Sequence, residues 1–99
     1  MRKHGRTDLV HGDIVVALRQ IGCSVQSLAA VGDGCPDLLI GYRGRNMLLE
    51  VKQPKGQLTP AQEIWLAVWH GSATVVYSVA DAVAQCAVTT VERGIPPHP

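Results

Sequence analysis

The sequence predicts an α/β domain: a small mixed β-sheet flanked by helices, in the order α-β-β-β-α-β-α. Three observations predict it. Two apolar runs, 37–42 (Asp-Leu-Leu-Ile-Gly-Tyr) and 46–52 (Asn-Met-Leu-Leu-Glu-Val-Lys), flank a glycine-containing polar turn and read as a hairpin. A strong helix start at Thr59-Pro60 separates that hairpin from a further β-type run at 73–79. Helical stretches near both ends supply the layers that cover a sheet.

Taken in order, Asp8 to Gln20 reads as a helix with Val10, Ile14, Leu18 and Ile21 on one stripe, and Gly22 ends it. Residues 23–29 (Cys-Ser-Val-Gln-Ser-Leu-Ala) alternate and read as a strand. Val31-Gly32-Asp33-Gly34 is a flexible approach to Pro36, and the hairpin follows. Gln53 to Gln57 is a loop. The next helix has Thr59 as N-cap, Pro60 at its first position and Glu63 in its first turn, and it runs to His70-Gly71. Ile64, Leu66, Ala67, Trp65 and Trp69 make it apolar on a broad face, and the two tryptophans are expected in the core. Residues 73–79 form the last strand, and Ser78 caps a last helix through Ala80–Gln85 and beyond. Residues 1–7 are read as a loose basic arm and 94–99 as a tail, with all 99 residues in one domain.

The hairpin carries the chemistry. Centring the turn on Arg43-Gly44 makes paired positions sum to 87, for a two-residue or a four-residue loop alike, so Leu39 faces Leu48 and Asp37 faces Glu50. Directly opposed residues have Cβ atoms roughly 4.5–5.5 Å apart. Residues two apart share a face, so Asp37, Glu50 and Lys52 point one way, while Leu38, Ile40, Met47, Leu49 and Val51 point the other. Two carboxylates this close repel unless a proton or a cation sits between them. Mg²⁺ takes oxygen ligands, uses one or two carboxylates and keeps positions open for water and phosphate. A cation held this way polarises a phosphoryl oxygen and acidifies water, and Lys52 would stabilise the developing negative charge. Either segment alone is an ordinary turn or edge-strand charge; the matched register is what points to a site that hydrolyses phosphodiesters.

Composition bounds the partners. The chain is 46% hydrophobic and 17% charged, which fits a compact globular protein and not a disordered one. At this length the core is modest, so dimerisation or a bound metal would support it. Only four aromatic residues occur, Trp65, Trp69, Tyr42 and Tyr77, which argues against a stacking platform for single strands. Net charge is +1, but Arg43, Arg45, Lys52 and Lys55 are expected to cluster around the carboxylates, with Arg43, Arg45 and Lys55 as nucleic-acid contacts, and Arg2, Lys3 and Arg6 cluster at the N-terminus. Cys23, Cys35 and Cys86 are odd in number and lack ligand spacing, so they read as free thiols rather than zinc ligands. No signal-peptide-like or membrane-length apolar run is visible, and the protein is expected in the cytoplasm, without a membrane partner or a small-molecule cofactor.

Pro36-Asp37 followed by Glu50-Val51-Lys52 resembles the motif of the PD-(D/E)XK nucleases, on a restriction-endonuclease-like core. The ordered set Gly32 to Gly44, Leu48 to Lys52, Leu58-Thr59-Pro60-Ala61-Gln62 and Ser78 to Ala82 resembles the VRR-NUC (virus-type replication-repair nuclease) group in its short stand-alone phage form, over residues 7–87. The resemblance implies Mg²⁺- or Mn²⁺-dependent DNA hydrolysis, in a host cytoplasm if the chain is phage-encoded. Asp37, Glu50 and the Val51 position would hold the metal, and Lys52 would activate water or stabilise charge. It also implies an acidic residue on the first helix, for which Asp13 is preferred over Asp8, with His11 a third candidate. Gln62 matches a family glutamine that would support the site or touch phosphate. Relatives of this size look like homodimers that cut branched DNA such as four-way junctions, and a twofold pair of sites suits such a substrate. The competing readings are a non-catalytic DNA-binding module on a nuclease fold, a general restriction- or degradation-type deoxyribonuclease, and a small structural or regulatory protein whose hairpin charges are surface pairs.

Overall fold

The structure, a computed structural model, describes residues 5–93, with side chains over 10–87. Seven elements follow in the expected order: α1 (Gly5–Gln20), β1 (Ser24–Ser27), β2 (Leu38–Tyr42), β3 (Arg45–Val51), α2 (Pro60–Val68), β4 (Ala73–Val76) and α3 (Val79–Arg93). The sheet order is β1-β2-β3-β4, with β1, β2 and β3 antiparallel and β4 parallel to β3. The sheet is therefore mixed, and α2 is the crossover that a parallel pair requires.

Helix α1 begins at Gly5, three residues before the expected start, so Gly5 to Thr7 belong to the helix and not to an arm. Residues 1–4 and 94–99, the rest of the expected arm and the tail, lie outside the described residues. At its other end, Gly22 takes φ +101°. Its N–H donates to the Arg19 carbonyl at 3.0 Å, and the Cys23 N–H donates to the Leu18 carbonyl at 3.0 Å. These two bonds are the Schellman pattern, which turns the chain back and packs the second residue beyond the cap against the last helical turn. That geometry corrects one expectation. Ile21 is not the end of the apolar stripe but is 40% exposed, and Cys23 enters the core in its place at 7%.

The hairpin turn is tight. Arg43 and Gly44 both have positive φ, 50° and 79°, as the two-residue type I′ turn requires. The register that results pairs Leu38 with Leu49, Leu39 with Leu48, Ile40 with Met47 and Tyr42 with Arg45, the sum of 87 throughout. Alternation then buries Leu38, Ile40, Met47, Leu49 and Val51 on one face, where Ile14 and Leu18 of α1 and Ala82 and Cys86 of α3 complete the core. The Cys23 and Cys86 thiols meet there at 3.6 Å. Burial and the neighbouring Cys86 push the Cys23 thiol up to about 12, and both side chains are free thiols that fill the core.

Helix α2 starts as its sequence dictates, with Thr59 as N-cap, Pro60 at the first position and a full capping box. It contributes no buried residue. The expectation that Trp65 and Trp69 sit in the core is overturned. They stack on each other, ring centroids 4.5 Å apart and 20° from parallel, and Trp69 is 47% exposed. The apolar face of α1 and α3 already fills the core side of this small sheet, so the half-buried Trp65 and the exposed Trp69 pack on one another apart from that core.

Candidate metal and nuclease site

Asp37 is the residue before β2, directly after the fully buried Pro36. Its carbonyl accepts the Leu28 N–H at 2.8 Å, extending the β1–β2 pairing. Its side-chain Oδ2 accepts the Val51 N–H at 2.7 Å, across the hairpin. A carboxylate thus occupies the position of the next ladder acceptor, which fixes Asp37 beside Glu50. Val51 itself points its side chain into the core, so only its backbone is available to the site.

Glu50 lies on β3, between β2 and β4, and is 3% exposed, a buried carboxyl in an otherwise apolar strand. Burial is the main reason its pKa rises, to about 7. The neighbouring Asp37 charge and a hydrogen bond shared with Asp37 raise it further, and Lys52 acts against them. Lys52 follows β3; its N–H continues the parallel ladder to the Val76 carbonyl at 3.0 Å, and its Nζ lies 3.9 Å from Glu50 Oε2. From the other side, Gln62 Nε2 donates to the same Oε2 at 3.1 Å. The four residues Asp37, Glu50, Lys52 and Gln62 therefore converge from two elements, β3 and α2, and from the two chain positions that precede β2 and follow β3, although they span 26 positions of sequence.

This donor set fits a hard divalent cation. Two oxygen donors face one another in a partly dry setting where the mutual repulsion of the charged forms is visible in the raised Glu50, and Mg²⁺ binds through one or two carboxylates. No group of three or more His, Cys, Asp or Glu side chains that could hold a metal forms among the described residues. Asp13 accordingly does not join the pair. It is exposed on α1 beside the buried Ile14, and α1 packs on the apolar face, opposite the one Asp37 and Glu50 share by alternation. The Asp8 side chain lies outside the described residues.

The basic residues divide. Lys52 and Lys55 line a cavity of about 360 Å³ with Val51, Gln53, Gly56 and Gln57, immediately after β3. Arg43 and Arg45 are at the far tip of the hairpin. Tyr42↔Arg45 is five pairs from Asp37 and Glu50, roughly 17 Å at the rise of a strand. Arg45 opposes Tyr42, and the Arg43 guanidinium lies 5.2 Å over the Tyr42 ring, while Tyr42 packs against the core cluster. Of the four cations expected around the carboxylates, Lys52 stands beside Glu50 and Lys55 shares the adjoining cavity with it, while Arg43 and Arg45 are at the tip.

Sequence reasoning missed Cys35 as a neighbour of the site. Burial raises its thiol pKa, followed by the charges of Glu50 and Asp37. Its place two residues before Asp37 was the available signal.

Among the comparisons with known proteins, a family model described as the VRR-NUC domain matches residues 4–84. No curated protein and no solved structure matches the chain. The match covers most of the chain, including the hairpin with its Asp37–Glu50 carboxyl pair and the α2 start, so the chain belongs to the VRR-NUC family and is a nuclease domain of the PD-(D/E)XK type.

Proposed function

We propose that this chain is a divalent-metal-dependent endonuclease that selects DNA by shape, acting on branched DNA such as four-way junctions as a homodimer. The observation that carries the catalytic part is the buried Glu50 carboxyl beside the half-buried Asp37, with Lys52 Nζ 3.9 Å from Glu50 Oε2. Asp37, Glu50 and the Val51 carbonyl would hold Mg²⁺ or Mn²⁺, which supplies the positive charge that polarises a phosphoryl oxygen and acidifies the attacking water. Lys52 directs its ammonium at the charge that develops on the phosphate. Gln62 keeps Glu50 in one orientation. Lys55 and the cavity beside it meet the flanking backbone, and Arg43 and Arg45, at the hairpin tip, take no part in the chemistry. Asp13 has no role in this reading.

Shape selection is supported by the absence of a recognition element beyond the small core among the described residues. A second copy is supported by the outer face of α2, where Ile64 and Val68 are 65% and 64% exposed on adjacent turns, since apolar surface that the fold leaves uncovered marks an interaction face.

The test is cleavage of labelled duplex, flap and four-way-junction DNA by the purified full chain with Mg²⁺, Mn²⁺ or EDTA, beside Lys52→Ala. Symmetric junction nicks that disappear in EDTA and in the variant are expected. Metal-independent cutting, or equal cutting of all substrates, would overturn metal dependence or shape selection respectively. Binding without any cutting would favour the non-catalytic module.

A further inference from the structure

We propose that Gly34 and Thr59 are positioning residues for Glu50: together they set the first turn of α2 so that the Gln62 amide can hold only one orientation, with its nitrogen on the Glu50 carboxyl. The inference deepens the nuclease reading, on which its link to metal binding rests.

The Gln62 side chain has two jobs. Its Oε1 accepts the Thr59 N–H at 2.9 Å, and its Nε2 donates to Glu50 Oε2 at 3.1 Å. The Gln62 N–H in turn donates to Thr59 Oγ1 at 3.2 Å. Rotating the amide by half a turn would set an NH₂ against the Thr59 N–H and an oxygen against the carboxyl, two repulsive pairs in place of two hydrogen bonds. The capping box therefore does more than start a helix. It locks the amide in the sense that donates to Glu50, as hydrogen-bond partners that orient metal-binding groups do.

Gly34 fixes where that turn sits. It has φ +87°, and a Cβ there would lie 2.7 Å from the Ala61 carbonyl carbon, closer still to its oxygen, and 3.2 Å from the Gln62 nitrogen. The obstacles are backbone atoms, which cannot swing aside. The same loop leads through Pro36 to Asp37. One close approach of two backbones thus references both carboxyl groups, Asp37 through its own chain and Glu50 through Gln62, to the start of α2. Helix α2 offers no buried residue, so this polar and backbone seating carries its alignment.

The experiment compares full-length wild type, Thr59→Ala, Thr59→Ser, Gly34→Ala, Gln62→Ala and the Thr59→Ala/Gln62→Ala double variant in two measurements. In the metal-free protein, solvent exchange of the Gln62 side-chain amide protons is followed by NMR. Slow exchange is expected in wild type and Thr59→Ser, and fast exchange in Thr59→Ala and Gly34→Ala. By Mn²⁺ titration, Thr59→Ala is expected to weaken binding roughly 10-fold, Thr59→Ser to restore it, and the double variant to bind no worse than Gln62→Ala. Slow exchange retained in Thr59→Ala and Gly34→Ala would overturn the proposal. So would additive losses in the double variant, or a fall in Tm with unchanged Mn²⁺ affinity. Wild type that binds no Mn²⁺ while showing the expected exchange pattern would overturn the metal reading and leave the seating of Glu50 standing.

Discussion

Glu50 is held in a state that costs the apo protein stability. Its carboxyl is buried, faces Asp37 and titrates near 7, so the folded chain holds that proton more tightly than the unfolded chain, whose glutamate titrates near 4.3. The folded form is then favoured least where Glu50 must ionise. Stability falls as pH rises from about 4.5 to about 7 and is level above that, by on the order of 1–3 kcal/mol. Metal-free protein should therefore lose Tm between pH 5 and pH 8, and saturating Mg²⁺ or Mn²⁺ should restore it at pH 8 while doing little at pH 5, because proton and cation compete for the same oxygens. Differential scanning calorimetry with and without EDTA checks this. Glu50→Gln should raise the metal-free Tm at pH 8 by about 5 °C or more and at the same time abolish metal binding and cleavage. A variant that is more stable and inactive would place the strain where the function is.

At the scale of elements, the hairpin is a rigid arm with chemistry at one end and a turn at the other. Arg43 occupies a left-handed conformation, φ 50°, that asparagine adopts more readily. Arg43→Asn should stabilise the protein by about 0.5 kcal/mol and leave the cleavage rate unchanged, since the tip is far from Asp37 and Glu50. Urea denaturation and single-turnover cleavage on the same preparation decide it; a large loss of cleavage would mean that the tip reaches DNA. The turn also shows how a sequence signal becomes legible. Gly44 flanked by polar residues between two apolar runs fixed the register, because a two-residue loop and a period of two leave one solution. The Thr59-Pro60 start was equally local. The end of α1 was not: a stripe continued through Ile21 on paper, yet the Schellman turn at Gly22 rotates that residue outward and brings Cys23 in.

The whole molecule has one well-filled side. The core between the sheet and α1 and α3 uses Ile14, Leu18, Leu38, Ile40, Leu49 and Val76, each at or below 1% exposure. On the outside, α2 shows Ile64, Val68 and Trp69. A chain of 99 residues with little core to spare gains from covering such a face. Ile64→Glu with Val68→Glu should convert a dimer to a monomer in sedimentation velocity, reduce paired nicking of junctions to single nicks, and leave the fold intact, because neither side chain is buried in the protomer. A monomeric wild type would remove the basis for that expectation. No described helix is long and apolar enough to cross a membrane.

By itself the sequence determined the order of elements, the hairpin register and the face on which Asp37, Glu50 and Lys52 stand. Those follow from periodicity, turn chemistry and capping, which act over a few residues. Tertiary structure decided the rest. The pairing of β4 makes β3, and Glu50 with it, part of an interior strand, and the seating of α2 against Gly34 brings Gln62 to Glu50 across 12 residues of chain. The packing of α1 on the apolar face keeps Asp13 from the site, and the filled core leaves the tryptophans outside. Which side of the sheet a helix covers is settled by competition among all apolar surfaces for a limited core, and no local pattern encodes the outcome.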